Sequence, residues 1–197
     1  RLQIAEGQYE QAIGTAQTGL AMAKHVGESP TVMQGMTGVA IAALMCRQLE
    51  QFVQGREAPS IHRALQKLPK PLVDLEKPIA VEMSNLESNS QYNVLVRRAM
   101  KRQLESSHVA VRLTMSRLDR HVAALQCVEA LRLYAGAHGG KFPNELSEIT
   151  EVPVPVDPVE QKPFVYRRTG SNATLEAPAP KGAEARFALR YSLNLTE

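Results

Sequence analysis

Leu131-Arg132-Leu133-Tyr134-Ala135-Gly136-Ala137-His138-Gly139-Gly140-Lys141-Phe142-Pro143 is where the chain changes character. Before Gly139, apolar residues recur every three or four positions: Val111, Met115, Leu118, Val122, Leu125, Val128, Leu131 and Ala135 make the seam of a helix read over 108–137. After Gly140, Pro143, Pro153, Pro155, Pro158, Pro163, Pro178 and Pro180 forbid another long helix. Short strands are predicted instead at 164–168, 174–177 and 186–193, separated by Gly170-Ser171-Asn172 and by 178–182. In the last of these, Phe187, Leu189, Tyr191 and Leu193 alternate with Arg186 and Arg190, so one face of an antiparallel meander packs inward against the preceding long helix. Two adjacent glycines permit the left-handed backbone that ends a helix, and Pro143 starts the turn that buries Leu146 and Ile149.

Upstream of the seam the chain reads as further helices. Residues 1–26 form an apolar stripe interrupted at Gly7. Ser29-Pro30 is a helix-start pair, and Val32, Met36, Val39, Ala40, Ala43, Leu44 and Phe52 supply the stripe of the helix that follows, with Gly55 at its end. Ser60 is placed to cap a short helix bearing Ile61, Ala64, Leu65 and Leu68. A fourth stretch, Leu72 to Leu86, carries Pro78 in its first turn or at a kink. Residues 92–104 read as helix again, with Ser106-Ser107 as a potential break before 108–137. Gly35 and Gly38 lie inside a helix, where they allow close packing rather than phosphate contact. The fold class expected is therefore mainly α with a small C-terminal antiparallel β-sheet (α+β), organised as a helical region over 1–107 and a long helix plus sheet over 108–197.

The composition supports a packed core. The chain has 197 residues, 44% of them hydrophobic, with 5% aromatic and no Trp, which favours close-packed helices rich in small side chains. No apolar run approaches the roughly 20 residues of a membrane span. Cys46 and Cys127 stand alone, without metal-ligand spacing, and read as two buried thiols or, in an exported protein, a long-range disulfide. The chain opens at Arg1 inside a helical pattern, so an upstream segment is expected.

Two resemblances follow from quoted residues. Gly7-Gln8-Tyr9-Glu10-Gln11-Ala12-Ile13 with Ala16, Gly19, Leu20 and Pro30 resembles the second half of a tetratricopeptide repeat, in which small residues let a neighbouring helix approach. Ala130 to Tyr134, His138 to Leu146, Val156-Asp157-Pro158 and Lys162 to Tyr166 form an ordered string that resembles the C-terminal part of type II secretion major pseudopilins. The same string resembles families of planctomycete-type bacteria in which it is joined to a helical N-terminal region, as here. These resemblances imply a fold, a role in protein–protein contact and an exported or cell-envelope setting. The pseudopilin calcium loop has no counterpart here, since only Glu176, Glu184 and Glu197 follow Asp157 and Glu160.

No catalytic or cofactor motif is present. None of His25, His62, His108, His121 and His138 pairs at three or four residues, and each reads as a surface or helix-end side chain. Nucleophile elbows, phosphate loops and dinucleotide fingerprints are missing. The expectation is a non-enzyme without metal or cofactor, working on another protein rather than a small-molecule substrate. Charge singles out one further surface. Residues 97–120 hold seven basic and two acidic groups, and from them comes the excess that gives the whole chain its formal +3. Arg97, Arg98, Lys101, Arg102, Arg112, Arg117 and Arg120 are accordingly the candidate anion-binding set, for nucleic acid or an anionic membrane surface, with 98, 101, 102, 105 and 112 along one side of the helix.

Overall fold

The computed structural model describes residues 1–55 and 57–194. It is 58% helical with one small three-stranded antiparallel sheet at the C-terminal end, the α+β class expected. Among the described residues six α-helices, α1 (Leu2–Ala5), α2 (Tyr9–Gly27), α3 (Val32–Phe52), α4 (His62–Gln66), α5 (Glu76–Ser88) and α6 (Val94–Ala137), precede strands β1 (Val165–Thr169), β2 (Asn172–Ala177) and β3 (Leu189–Asn194). Two compact units divide the chain: residues 1–51 with 69–118, and residues 52–68 with 119–197. The residues of α6 are shared between them, 94–118 in the first unit and 119–137 in the second.

In the first unit Gly7 takes a left-handed φ of 71°, which ends α1 and starts α2. Helices α2 and α3 meet through small residues. Gly38 has no room for a side chain, because a Cβ there would lie 2.5 Å from the Ala23 carbonyl oxygen and 2.7 Å from the Gly27 nitrogen. This contact corrects the α3 stripe read from sequence. Its buried residues are Gly35, Gly38, Val39, Ala42, Cys46, Leu49 and Phe52, so Val39 and Phe52 of the expected stripe are buried while Ala40 and Leu44 face solvent. Hydrophobicity alone favoured Leu44; backbone proximity selected the glycine face instead. The start of α3 also differs. Thr31, not Ser29, caps it, its Oγ1 accepting the Gln34 amide at 3.3 Å and donating to the Gln34 side chain at 2.9 Å. Pro78 falls in the first turn of α5, where its missing N–H costs no helical bond.

Helix α6 is continuous through Ser106-Ser107, so the break considered there does not occur. The Ser107 hydroxyl donates to the Gln103 carbonyl one turn back, which lets the helix carry it without competing for a backbone donor.

In the second unit α6 ends in a Schellman turn. Gly139 and Gly140 have φ of 62° and 72°, and the Gly140 amide donates to the Ala135 carbonyl at 2.9 Å. The sheet is a simple meander in the order β1-β2-β3. Gly170 with φ of 63° opens the two-residue loop between β1 and β2, the position that a type II′ hairpin reserves for glycine. Cross-strand pairs Ala173–Leu193, Leu175–Tyr191 and Ala177–Leu189 share the inner face. That face packs on α6: Ala130, Leu131, Ala135, Phe142, Ile149 and Ala173 form one cluster, with Tyr134, Tyr166 and Leu193 against it. The outer face carries Glu176 between Arg167 and Arg190, at 3.7 and 3.3 Å. β3 begins later than predicted, since residues 185–187 make a 3₁₀ turn held by the Phe187 amide on the Glu184 carbonyl. Arg186 therefore lies outside the strand.

Candidate functional site

Helices α5 and α6 form an antiparallel hairpin in the first unit, joined by residues 89–93, and the structure sorts the basic stretch by its place on that hairpin. Arg112 makes a bidentate pair with Glu76, both contacts 2.8 Å. His108 Nε2 lies 2.8 Å from Glu82 Oε2, and Lys101 Nζ lies 2.7 Å from Glu87. Each step down α5 is matched by a step up α6, which is what antiparallel helices in fixed register produce. The Arg112 guanidinium holds the Glu76 carboxyl below the usual carboxylate range, and the Lys101 ammonium does the same for Glu87. In return Arg112 and Lys101 are raised by these partners. At the tip, Arg97 donates through Nη2 to the carbonyls of Asn89 and Tyr92, closing the hairpin loop.

The seven candidate cations therefore do not act as one face. Arg97, Lys101 and Arg112 are engaged within the hairpin. Arg120 lies in the second unit, 1% exposed, where it grips both carboxylate oxygens of Asp157 and donates to the carbonyls of Phe187 and Pro178. Asp157 in turn accepts the Val159 amide, so Arg120 fastens the loop after Pro155, the end of β2 and the approach to β3 to α6. Arg98, Arg102 and Arg117 remain exposed, with no ion pair among the described residues.

A different cluster, not singled out from sequence, adjoins Arg98 and Arg102. Val94, Leu95 and Val96 open α6 with exposures of 64%, 76% and 42%. Asn93 caps this turn, its side chain accepting the Val96 amide at 2.9 Å. Alternation of apolar and polar residues could not reveal the patch, because a run such as Val94-Leu95-Val96 normally signals burial. Only the exposure of the hairpin end distinguishes it.

His25 and His138 are exposed, as expected, and two of the five histidines depart from the surface or helix-end reading by being buried. His62 and His108 are buried, His62 holding the Pro153 carbonyl at 3.0 Å through Nε2. His138 stacks on Tyr134 with ring centroids 3.8 Å apart and approaches Glu151 at 3.4 Å. Around it, Glu148 accepts the Asn144 amide, which keeps its carboxyl below the ordinary range, while burial followed by the Glu148 charge raises the Tyr134 phenol. Burial pushes Tyr166 up to about 12.

Buried Glu129 is saturated: it accepts the Ser60 hydroxyl and the Ile61 amide, both at 2.8 Å, and pairs with Arg132, whose other nitrogen reaches the Gly55 and Ala58 carbonyls. Ala58, Ser60, Glu129 and Arg132 border a shallow groove of about 400 Å³ that also meets Gly136 and Gly140. Both cysteines are buried thiols rather than a disulfide, and burial pushes Cys127 up to about 12. Among the described residues no set of three or more His, Cys, Asp or Glu side chains is placed to hold a metal ion, and no helix is long and apolar enough to cross a membrane. No known protein family, curated protein or solved structure matches the chain.

Proposed function

We propose that the protein is a non-catalytic binding module, a scaffold of the bacterial cell envelope, that meets its macromolecular partner through the end of the α5–α6 hairpin. The observation that carries this reading is the exposed turn Val94-Leu95-Val96 set beside Arg98 and Arg102. Three consecutive aliphatic side chains in water are a cost that an isolated protein has no reason to keep, and such patches mark contact surfaces. The rest of the hairpin is held in register by its ion pairs, so the end is presented on a rigid support. The envelope setting rests on the resemblance of residues 130–166 to the pseudopilin end.

A benzophenone side chain placed at position 95, in cells making the full chain, tests the reading. Irradiation is expected to give a discrete adduct, identified by mass, that is several-fold more abundant than from the same group at exposed Gln17 on α2. Equal or absent adducts at the two positions contradict it.

A further inference from the structure

The geometry points to an anionic lipid surface as what the hairpin end engages, an inference that rests on the binding-module reading above and names its partner. Successive helical residues are 100° apart, so Val94, Leu95 and Val96 spread apolar surface over about 200° of the helix circumference rather than along one stripe. A convex apolar end of this kind does not match the stripe that docks in a protein groove, which repeats at three and four. It suits a fluid medium that closes around it.

The cations stand where such a medium needs them. Arg98 is one turn beyond Val94 and Arg102 two turns beyond, which sets them about 6 and 12 Å farther along the axis. With the hairpin end-on and the Val94–Val96 turn at the acyl boundary, the Arg98 position falls within the roughly 5–10 Å that interfacial segments penetrate, at the depth of the lipid phosphates, and Arg102 stands about 6 Å farther out, over the headgroup surface. Neither is neutralised by an ion pair among the described residues. Of the nearby carboxylates, Glu87 is held by Lys101 and Glu105 lies a further turn back. The positive end of the α6 dipole faces the same direction. Nucleic acid would use the arginines but offers nothing to three aliphatic side chains, and among the described residues no exposed aromatic stands beside them to stack on bases: Tyr92 is half-buried, and its carbonyl receives Arg97.

The chain contains no Trp, so Leu95→Trp supplies a single fluorescent reporter at the proposed contact. With vesicles of 30% phosphatidylglycerol in phosphatidylcholine at low salt, its emission is expected to shift to the blue, and partitioning is expected to exceed that to pure phosphatidylcholine at least tenfold. Gln17→Trp, read in parallel, is expected to stay unchanged. Adding Arg98→Glu and Arg102→Glu to the reporter variant, with helicity checked by circular dichroism, is expected to lower partitioning by about 25-fold or more, at roughly fivefold per cation. An emission unmoved by the anionic vesicles overturns the inference. So does a response to duplex DNA without one to vesicles, which assigns the surface to nucleic acid. A silent reporter together with a protein adduct at position 95 removes the lipid and leaves the binding module standing; silence in both experiments removes both.

Discussion

Gly38 and Gly14 lie in helical interiors, yet opposite outcomes are expected when each receives a methyl group. At Gly38 the new Cβ would strike backbone atoms of Ala23 and Gly27, so Gly38→Ala is expected to destabilise the protein by about 1–3 kcal/mol. Nothing lies within 4 Å of a Cβ at Gly14, and Gly14→Ala is expected to stabilise by about 0.5–1 kcal/mol through reduced backbone entropy in the unfolded chain. Urea denaturation of the two variants checks both signs. Arg120 and Asp157 form the buried ion pair with most at stake. Removing one member, as in Arg120→Ala, leaves an unpaired buried charge and is expected to cost about 3–5 kcal/mol in the same measurement. For Cys127, a thiol pushed up to about 12 leaves about one molecule in 10⁴ ionised at pH 8. Iodoacetamide is therefore expected to modify it only after unfolding; rapid native labelling at pH 8 would contradict the burial.

At the scale of elements, the α5–α6 hairpin couples sequence to pH. Glu76 and Glu87 have folded pKa values below the ordinary 4.5, so their pairs stabilise the hairpin fully above that pH. The contribution is lost as pH falls through the depressed folded values. Both pairs are solvent-accessible and salt-screened, so the effect is modest. Glu76→Gln is expected to melt earlier than the parent at pH 7 in low salt, with the gap narrowing in 1 M salt and narrowing again as the pH falls below 4.5. A gap independent of pH and salt would show that the pairs contribute nothing through charge. The sequence exposed these elements unevenly. The 108–137 seam and the Gly139-Gly140 stop were legible because a buried apolar line and a left-handed turn each demand particular residue types. The face of α3 was not, because burial there follows from the approach of Gly27 and Ala23, a tertiary contact that residue hydrophobicity does not encode. The roles of the basic residues were hidden for a related reason: Arg112 and Lys101 look free until α5 is folded back to supply Glu76 and Glu87.

For the whole molecule, the mainly helical chain with its C-terminal meander was readable from the switch between periodicities at Gly139. Its division was less so, since the two compact units share the residues of one uninterrupted helix and the second also takes 52–68 from far upstream. That insertion is tied by Glu129 to Ser60 and Ile61, a contact between residues nearly 70 positions apart that no local pattern announces. The surface argued to be functional belongs to the first unit alone, and its chemistry makes one comparison decisive. The unmodified chain and its Leu95→Glu variant are floated through a density gradient with vesicles containing 30% phosphatidylglycerol at low salt. The unmodified chain is expected to rise with the vesicles and the variant to stay behind, a difference of at least tenfold in the bound fraction; equal flotation of the two, or flotation of neither, would contradict the assignment of the hairpin end as a lipid-binding surface.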